Sequence, residues 1–216
     1  AMAQEWFDYV QKLWTADTAF DWDGNFYQGK GVYSLPHPVQ PKMPIINAAG
    51  SEEGRVFAMR NADFLFTPVF DFDQAKATAA DITERAASVG RKVDVLTLCT
   101  VVCRPTQQEA EDYLNWYAEE QADWEAVDNL MTLQGMHAQS FTPEALALYR
   151  DRMAAGHGGF PLVGTPDTIA DLLEKLSVAG IAGTTLAFVD YAKEFPYFRQ
   201  EVLPRLEAKA LRQPVN

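Results

Sequence analysis

Cysteine, basic side chains and long apolar runs are all scarce in this 216-residue sequence. The two cysteines, Cys99 and Cys103, stand four positions apart in one apolar stretch. On a strand this spacing puts both thiols on the same face, but too far apart to form a disulfide. We therefore expect buried, free thiols and a cytoplasmic location, because a reducing compartment keeps such thiols unpaired.

The charge balance excludes several kinds of partner. The sequence has 18 Lys and Arg residues against 30 Asp and Glu residues, which gives a formal net charge of −12. Nucleic acids and anionic membrane surfaces bind basic proteins, so neither is expected here. No apolar run approaches the roughly 20 residues that span a bilayer. The three histidines, His37, His137 and His157, lack the spacing of zinc ligands, so we expect no metal site.

The segment around Ser51 is the most informative part of the chain. An apolar run of strand length, Met43–Ala48, leads into a turn of small residues that ends at Gly50, and a helix then begins at Ser51. A serine hydroxyl at this position can accept a hydrogen bond from a backbone N–H of the first helical turn. The free N–H groups beside it can also hold a phosphate, because the helix dipole favours an anion there.

The same residues also fit a plain helix cap. Glu52 and Glu53 are acidic residues in the first turn, where they complement the helix dipole. Two carboxylates would oppose a bound phosphate unless they point away or Arg55 compensates. Local chemistry alone favours the plain cap, since junctions between a strand and a helix are much commoner than phosphate sites.

Alternating strand and helix patterns run through the rest of the chain. They predict parallel strands with helices on one face, because parallel neighbours need crossover helices. An open doubly wound sheet and half of a closed barrel both fit this pattern. We also expect an opening helix, a small hairpin near Asp23 and Gly24, and a partly helical insertion over residues 124–160. Four strands are predicted, near Pro44–Ala48, Asp63–Thr67, Val93–Val102 and Thr184–Val189.

Four sequence blocks, spread over almost the whole chain, carry a family resemblance. They are Pro44–Ser51, Val102–Thr106, Leu162–Pro166 and Phe188–Tyr191. Their order and spacing resemble the luciferase-like family of flavin-dependent monooxygenases. The nearest subgroup contains the pyrimidine, dimethylsulfide and nitrilotriacetate monooxygenases.

The resemblance implies an α/β fold of the TIM-barrel type. This chain would hold only the C-terminal half of the barrel, four parallel β/α units in one domain over residues 1–216. About four further units that precede this region in the family have no counterpart here. We expect the open face of such a half-barrel to expose Ile45, Leu65, Val95 and Leu186, and to drive the formation of a homo-oligomer.

The resemblance also implies reduced FMN as the cofactor, supplied by a separate flavin reductase. A C4a-hydroperoxyflavin would then oxidise a small organic substrate. Ser51 corresponds to a family serine that contacts the FMN phosphate, and Gly50 and Glu52 flank it. His157 and Gly158, at the glycine-rich end of the insertion, are the other candidate flavin contacts. No catalytic residue is assigned.

Several alternatives stay open from the sequence. His157 fits equally well as an exposed loop histidine beside hinge glycines. Arg104 follows a buried strand and could meet an anion, but pairing with an acidic neighbour such as Glu109 is favoured. The chain could also be a non-catalytic half-barrel that serves as an assembly or binding module, or a deazaflavin-dependent relative that transfers hydride.

Overall fold

A computed structural model describes residues 1–135 and 142–214, so His137 lies outside the described part of the chain. The chain divides into two compact units, Ala1–Ile45 and Ile46–Asn216, which we describe one at a time. The prediction of a single domain stays a prediction. None of the helices in the described residues is long and apolar enough to cross a membrane.

The first unit consists of one helix and one hairpin. Helix α1 covers Met2–Thr15, and strands β1 (Phe20–Asp23) and β2 (Gln28–Val32) pair in antiparallel fashion, which confirms the predicted hairpin. The Glu5 carboxylate of α1 accepts hydrogen bonds from the backbone N–H groups of the hairpin turn. These donors are Asn25 at 2.9 Å, Phe26 at 3.0 Å and Tyr27 at 2.8 Å. Glu5 therefore joins the helix to the hairpin turn.

These contacts make the first unit sensitive to acid. Desolvation tends to raise the pKa of Glu5, but the backbone hydrogen bonds outweigh it and hold the pKa below its ordinary value of 4.5. A carboxyl group with a lowered folded-state pKa stabilises the fold above its unfolded pKa. That stabilisation is lost as the pH falls through the folded-state pKa, so the unit weakens only in acid.

We predict that Glu5→Ala removes this connection at neutral pH. The amides of Asn25, Phe26 and Tyr27 should then have lower protection factors (intrinsic divided by observed exchange rate), as they should in the wild-type protein at a pH below the Glu5 pKa. Hydrogen-exchange NMR measures both effects. Asp8→Ala, at an exposed position of the same helix, is the matched control and should leave these amides unchanged. Unaltered protection in Glu5→Ala would refute the role of Glu5.

The second unit alternates strands and helices. Its strands are β3 (Ile46–Asn47), β4 (Phe64–Phe66), β5 (Asp94–Cys103), β6 (Phe160–Gly164) and β7 (Ile181–Ala187). Its helices are α2 (Glu52–Asn61), α3 (Phe72–Ser88), α4 (Gln107–Asn115), α5 (Trp124–Leu133), α6 (Pro143–Gly156), α7 (Pro166–Val178) and α8 (Tyr191–Ala208). A π-helical turn, Trp116–Glu120, continues α4.

All five strands of the second unit form one parallel sheet centred on β5. Along a strand, every second residue directs its N–H group to the same edge. The Asp94 N–H donates to the Asp63 carbonyl just before β4, and the Arg104 N–H, an even number of residues later, donates to the Gly164 carbonyl of β6. Strands β4 and β6 therefore share one edge of β5. Strand β7 pairs with the other edge. The expected parallel sheet is confirmed, but the sequence prediction missed β6. Its five residues were divided between the end of the insertion and the turn before α7.

The exposure of the two sheet faces differs from the one predicted from the sequence. Leu65 is fully buried and Val95 is 2% exposed, so the prediction that they lie on an open face is wrong. They pair with each other, on the face opposite to Leu96. Side chains alternate along a strand, so Leu96 and its neighbour Phe66 belong to the face that stays partly exposed. Ile46 of β3 is 58% exposed.

Helices cover both faces of the sheet where β5 pairs with β6. Pro161, which pairs with Thr100, lines a cavity together with side chains of α4 and α6. Leu186, which pairs with Cys99 on the opposite face, lines another cavity with Phe198 of α8. Helices were expected on one face only. The difference arises because the segment between β5 and β6 folds back over the sheet.

That inserted segment, which includes α5 and α6, has a small apolar core of its own. The buried residues Val127, Met131, Tyr149 and Met153 pack together, and Phe70 of the loop after β4 packs against them. The Arg152 guanidinium donates to the carbonyls of Val69 at 2.9 Å and Phe70 at 2.8 Å. The insertion is therefore attached to the end of β4 by apolar packing and by two hydrogen bonds.

Candidate functional site

Ser51 begins α2, as the sequence predicted. Its hydroxyl accepts a hydrogen bond from the Gly54 N–H at 3.2 Å, and its carbonyl accepts one from the Arg55 N–H at 2.9 Å. The preceding turn is closed by the Asn47 side chain, which accepts a hydrogen bond from the Ala49 N–H at 2.9 Å. Ser51 is therefore the N-cap of α2, and the turn at residues 48–50 separates it from the carboxyl end of β3.

The start of α2 has the groups that an anion requires. Among the described residues, the backbone N–H groups of Ser51, Glu52 and Glu53 make no hydrogen bond. The Glu52 carboxylate is paired with Arg85 of α3, which also contacts Asp81, so part of the Glu52 charge is offset. A Cβ atom built on Gly50 would meet no other atom within 4 Å, so space is open beside the turn. These residues fit a phosphate group such as that of FMN.

His157 and Gly158 end helix α6. His157 is exposed and has a left-handed backbone at φ 55° and ψ 32°, and Gly158 follows with φ 80°. The Gly158 N–H donates to the Arg152 carbonyl at 3.0 Å, which closes the end of the helix. A left-handed histidine costs about 1–2 kcal/mol relative to a right-handed conformation. Strain of this kind is commonly found at functional sites.

The candidate residues form two groups on different strands. Asn47 of β3 pairs with Leu65 of β4, which in turn pairs with Val95 of β5. Phe160 of β6 pairs with Cys99, four residues further along β5. This offset of four residues along β5 corresponds to roughly 13 Å. Within the described residues, no hydrogen bond or ion pair joins the start of α2 to the turn at residues 156–159. The strand positions nearest the two groups, Asn47 and Phe160, are therefore offset along the sheet.

An ion pair at the carboxyl end of the sheet was missed by the sequence analysis. Arg104 donates to Glu194 of α8 at 2.6 Å, so the favoured partner Glu109 is wrong. Glu109 instead completes a capping box with Thr106. The Glu194 carboxylate also accepts a hydrogen bond from the Val189 N–H at 3.1 Å. No local pattern signals a partner 90 residues away.

Two tyrosines beside this ion pair remain protonated at neutral pH. Burial and the neighbouring Glu194 carboxylate raise the pKa of Tyr113, and the same causes raise the pKa of Tyr117. The Arg104 guanidinium lies over the Tyr113 ring at 4.0 Å, and the Tyr117 hydroxyl donates to the Ala155 carbonyl at 2.9 Å. These phenols can therefore act as hydrogen-bond donors but not as bases.

The described residues show no other obvious reaction centre. They contain no group of three or more His, Cys, Asp or Glu side chains placed to hold a metal ion. Both cysteines are buried and free, and burial raises the pKa of Cys99 and Cys103 to about 11, so neither thiol is a nucleophile at neutral pH. The start of α2 and the His157 turn are therefore the candidate binding features among the described residues.

The comparisons decide the family. The family model described as luciferase-like monooxygenase matches residues 1–183. The chain belongs to the luciferase-like monooxygenase family. It is 30% identical over 210 residues to the FMNH(2)-dependent dimethylsulfone monooxygenase of Pseudomonas putida, covering 94% of this chain and 57% of that protein. It is 28% identical over 220 residues to the pyrimidine monooxygenase RutA of a Bradyrhizobium strain, covering 98% and 59%.

The fold of this luciferase-like chain also matches a solved structure. DmoA from Hyphomicrobium sulfonivorans superimposes with a TM-score of 0.82 at 21% identity, over 98% of this chain and 56% of that one. The α/β fold with a parallel sheet is therefore shared with this protein. The chain spans less than two thirds of the length of the relatives that it matches.

We predict that the Arg104–Glu194 pair stabilises the second unit. The two side chains are only 23% and 9% exposed, so Arg104→Ala should lower the free energy of unfolding by about 2 kcal/mol, as expected for a hydrogen bond to a charged group. Urea denaturation measures this change. Lys92→Ala, which breaks an exposed pair with Asp94, is the control and should cost under about 1 kcal/mol. Equal effects would show that the burial of the pair is unimportant.

Proposed function

We propose that this protein binds reduced FMN and takes part in the oxygenation of a small organic substrate. The observation that carries the proposal is the start of α2, where Ser51 and the free N–H groups beside it can hold a phosphate in a chain of this family. The dimethylsulfone monooxygenase relative is named as FMNH(2)-dependent. By the same reasoning a separate flavin reductase is the partner that supplies the cofactor.

The phosphate would lie at the start of α2. The N–H groups of Ser51, Glu52 and Glu53 would donate to its oxygens, and the Ser51 hydroxyl has a proton free to donate as well. The Arg85 guanidinium offsets part of the Glu52 charge and so reduces the repulsion between this carboxylate and the phosphate. Gly50 leaves space for the phosphate to approach the backbone.

The flavin ring would lie toward the His157 turn. The strand positions nearest these two groups, Asn47 and Phe160, are offset by roughly 13 Å along the sheet, which a whole FMN molecule can span from its phosphate to the far edge of its ring. The exposed imidazole of His157 would donate to or accept from a polar edge of the ring. Gly158 is buried, with Tyr149 in the space that a side chain would take, so it would contact the flavin only through its backbone. When bound, reduced FMN supplies the electrons that activate molecular oxygen.

Two substitutions distinguish phosphate binding by Ser51 from its role as a helix cap. Ser51→Ala removes the hydroxyl and should weaken FMN binding by about 1–2 kcal/mol, the scale of a hydrogen bond to a charged group. Ser51→Asp keeps an N-cap side chain but adds a negative charge, so it should preserve stability while abolishing FMN binding. Quenching of flavin fluorescence measures the affinity, and thermal unfolding measures the stability.

Thr106→Ala provides the matched control for the loss of a cap. The Thr106 hydroxyl caps α4 in the same way, because it accepts a hydrogen bond from the Glu109 N–H at 3.2 Å. Its replacement should lower stability by about 1 kcal/mol and leave FMN affinity unchanged. If Ser51→Asp binds FMN as tightly as the wild-type protein, the phosphate site at α2 is wrong.

We also propose that the chain forms a half-barrel whose open face is covered in a homo-oligomer. Ile46 is 58% exposed, and Phe66 and Leu96 on the same face are only partly buried. The outer strands β3 and β7 each have one edge that pairs with no other described strand. Exposed apolar faces and free strand edges favour association. A cytoplasmic location is proposed because both cysteines are unpaired.

Light scattering tests this assembly. The wild-type protein should be a dimer or larger species at micromolar concentration, with weak FMN binding and no monooxygenase activity from this chain alone. Ile46→Glu should shift it toward the monomer. Val178→Glu, at an 82% exposed position of α7, should not. A stable wild-type monomer, or turnover by this chain with only a reductase added, would rule out the proposal.

A further inference from the structure

A cavity of about 360 Å³ lies beside the turn that carries His157. Its floor is formed by the buried residues Thr100, Ala118 and Gly159, and its walls include Pro161 and Val163 of β6. The Thr100 hydroxyl is already engaged, because it donates to the Gly156 carbonyl at 3.1 Å. The floor therefore offers mostly apolar surface, and the volume falls within the range of small-molecule sites.

Charged side chains lie around this cavity. The carboxylates are Glu111, Glu119 and Asp151, all on exposed residues, and the one cationic lining residue is Arg152. Arg152 is oriented by its hydrogen bonds to two backbone carbonyls of the loop after β4. The nearby Arg150 is paired with Asp128 at 2.6 Å. The lining residues thus carry three carboxylates and one guanidinium, and that guanidinium donates to carbonyls outside the lining.

This charge distribution sets the kind of molecule that can enter. An anion approaching the opening meets a net negative charge and would lose its hydration over an apolar floor, so it is rejected. A cation is attracted to the exposed carboxylates, but no carboxylate reaches the buried floor to pair with it. A small uncharged molecule loses least on entering and gains from burial of its apolar groups.

We propose that this cavity is the substrate pocket and that it takes small, uncharged molecules while excluding anions. The pocket shares its wall with the proposed flavin contacts, since Gly159 lines the cavity directly after the His157–Gly158 turn. A molecule bound there would lie next to the ring that this turn is proposed to contact. The substrate assignment rests on the proposed function, whereas the selectivity of the cavity rests on its lining alone.

The selectivity can be tested with three probes of similar size and different charge. Dimethyl sulfone is neutral, methanesulfonate is an anion and trimethylsulfonium is a cation. Saturation-transfer NMR on the full chain without flavin should show dimethyl sulfone bound at least about tenfold more tightly than methanesulfonate. Absence of dimethyl sulfone binding, comparable methanesulfonate binding or tighter trimethylsulfonium binding would each overturn the proposal.

A charge-reversed variant connects the result to this cavity. Glu119 and Asp151 make no hydrogen bond or ion pair among the described residues, so Glu119→Lys combined with Asp151→Lys should fold normally. This double variant should gain about tenfold in methanesulfonate affinity. The control is Glu125→Lys combined with Glu144→Lys, two exposed carboxylates of α5 and α6 outside the cavity lining, which should not change it. Equal responses would show that the probes bind elsewhere.

Measuring the binding of FMN and of dimethyl sulfone to the same protein tests the flavin site and the cavity separately. If FMN binds but dimethyl sulfone does not, the pocket is wrong and the proposed cofactor stands. If dimethyl sulfone binds with the expected selectivity but FMN does not, the pocket's selectivity stands, whereas its substrate role falls with the proposed function. Leu148→Trp, at a partly exposed position of the lining, should weaken dimethyl sulfone binding without weakening FMN binding.

Discussion

Strand β5 is the element on which the second unit depends, because neighbouring strands occupy both of its edges. Strands β4 and β6 lie end to end along one edge and β7 lies along the other. Each neighbour is reached through helical segments, since parallel strands cannot be joined by tight turns. The ten residues of β5 therefore determine the positions of most of the helices around them.

The same strand determines what each end of the sheet can do. Near its amino end one face is left partly uncovered, around Leu96, and this is where an assembly contact is proposed. Near its carboxyl end the inserted helices cover that face, and the Thr100 hydroxyl donates a hydrogen bond to the Gly156 carbonyl at the end of α6. The His157 turn and the cavity lie beside each other at this end, where Gly159 and Thr100 both line the cavity.

Charge compensation distinguishes the start of α2 from an ordinary acidic helix start. Considered alone, Glu52 opposes a phosphate at Ser51, which made the plain cap the better interpretation of the local sequence. Arg85 comes from α3, more than thirty residues away, and its pairing with Glu52 reduces that objection. Family membership and this pairing both support the proposed phosphate site.

The sequence by itself determined the features that depend on neighbours within about four residues. Ser51 and Thr106 cap their helices through hydrogen bonds to residues three positions on, so their patterns were legible without a structure. The continuous apolar run of β5 marked a covered parallel strand for the same local reason. The order and spacing of the family blocks can be read directly from the sequence, so the family resemblance was evident without a structure.

Only the tertiary structure decided which distant groups meet. A nearly continuous apolar strand does not indicate which of its faces the helices will cover, so Leu65 and Val95 were placed on the wrong face. Arg104 found Glu194 rather than Glu109, because the end of β5 and the start of α8 come together only in the folded sheet. Strand β6 escaped notice because its five residues, with a proline among them, gain strand character only by pairing with β5.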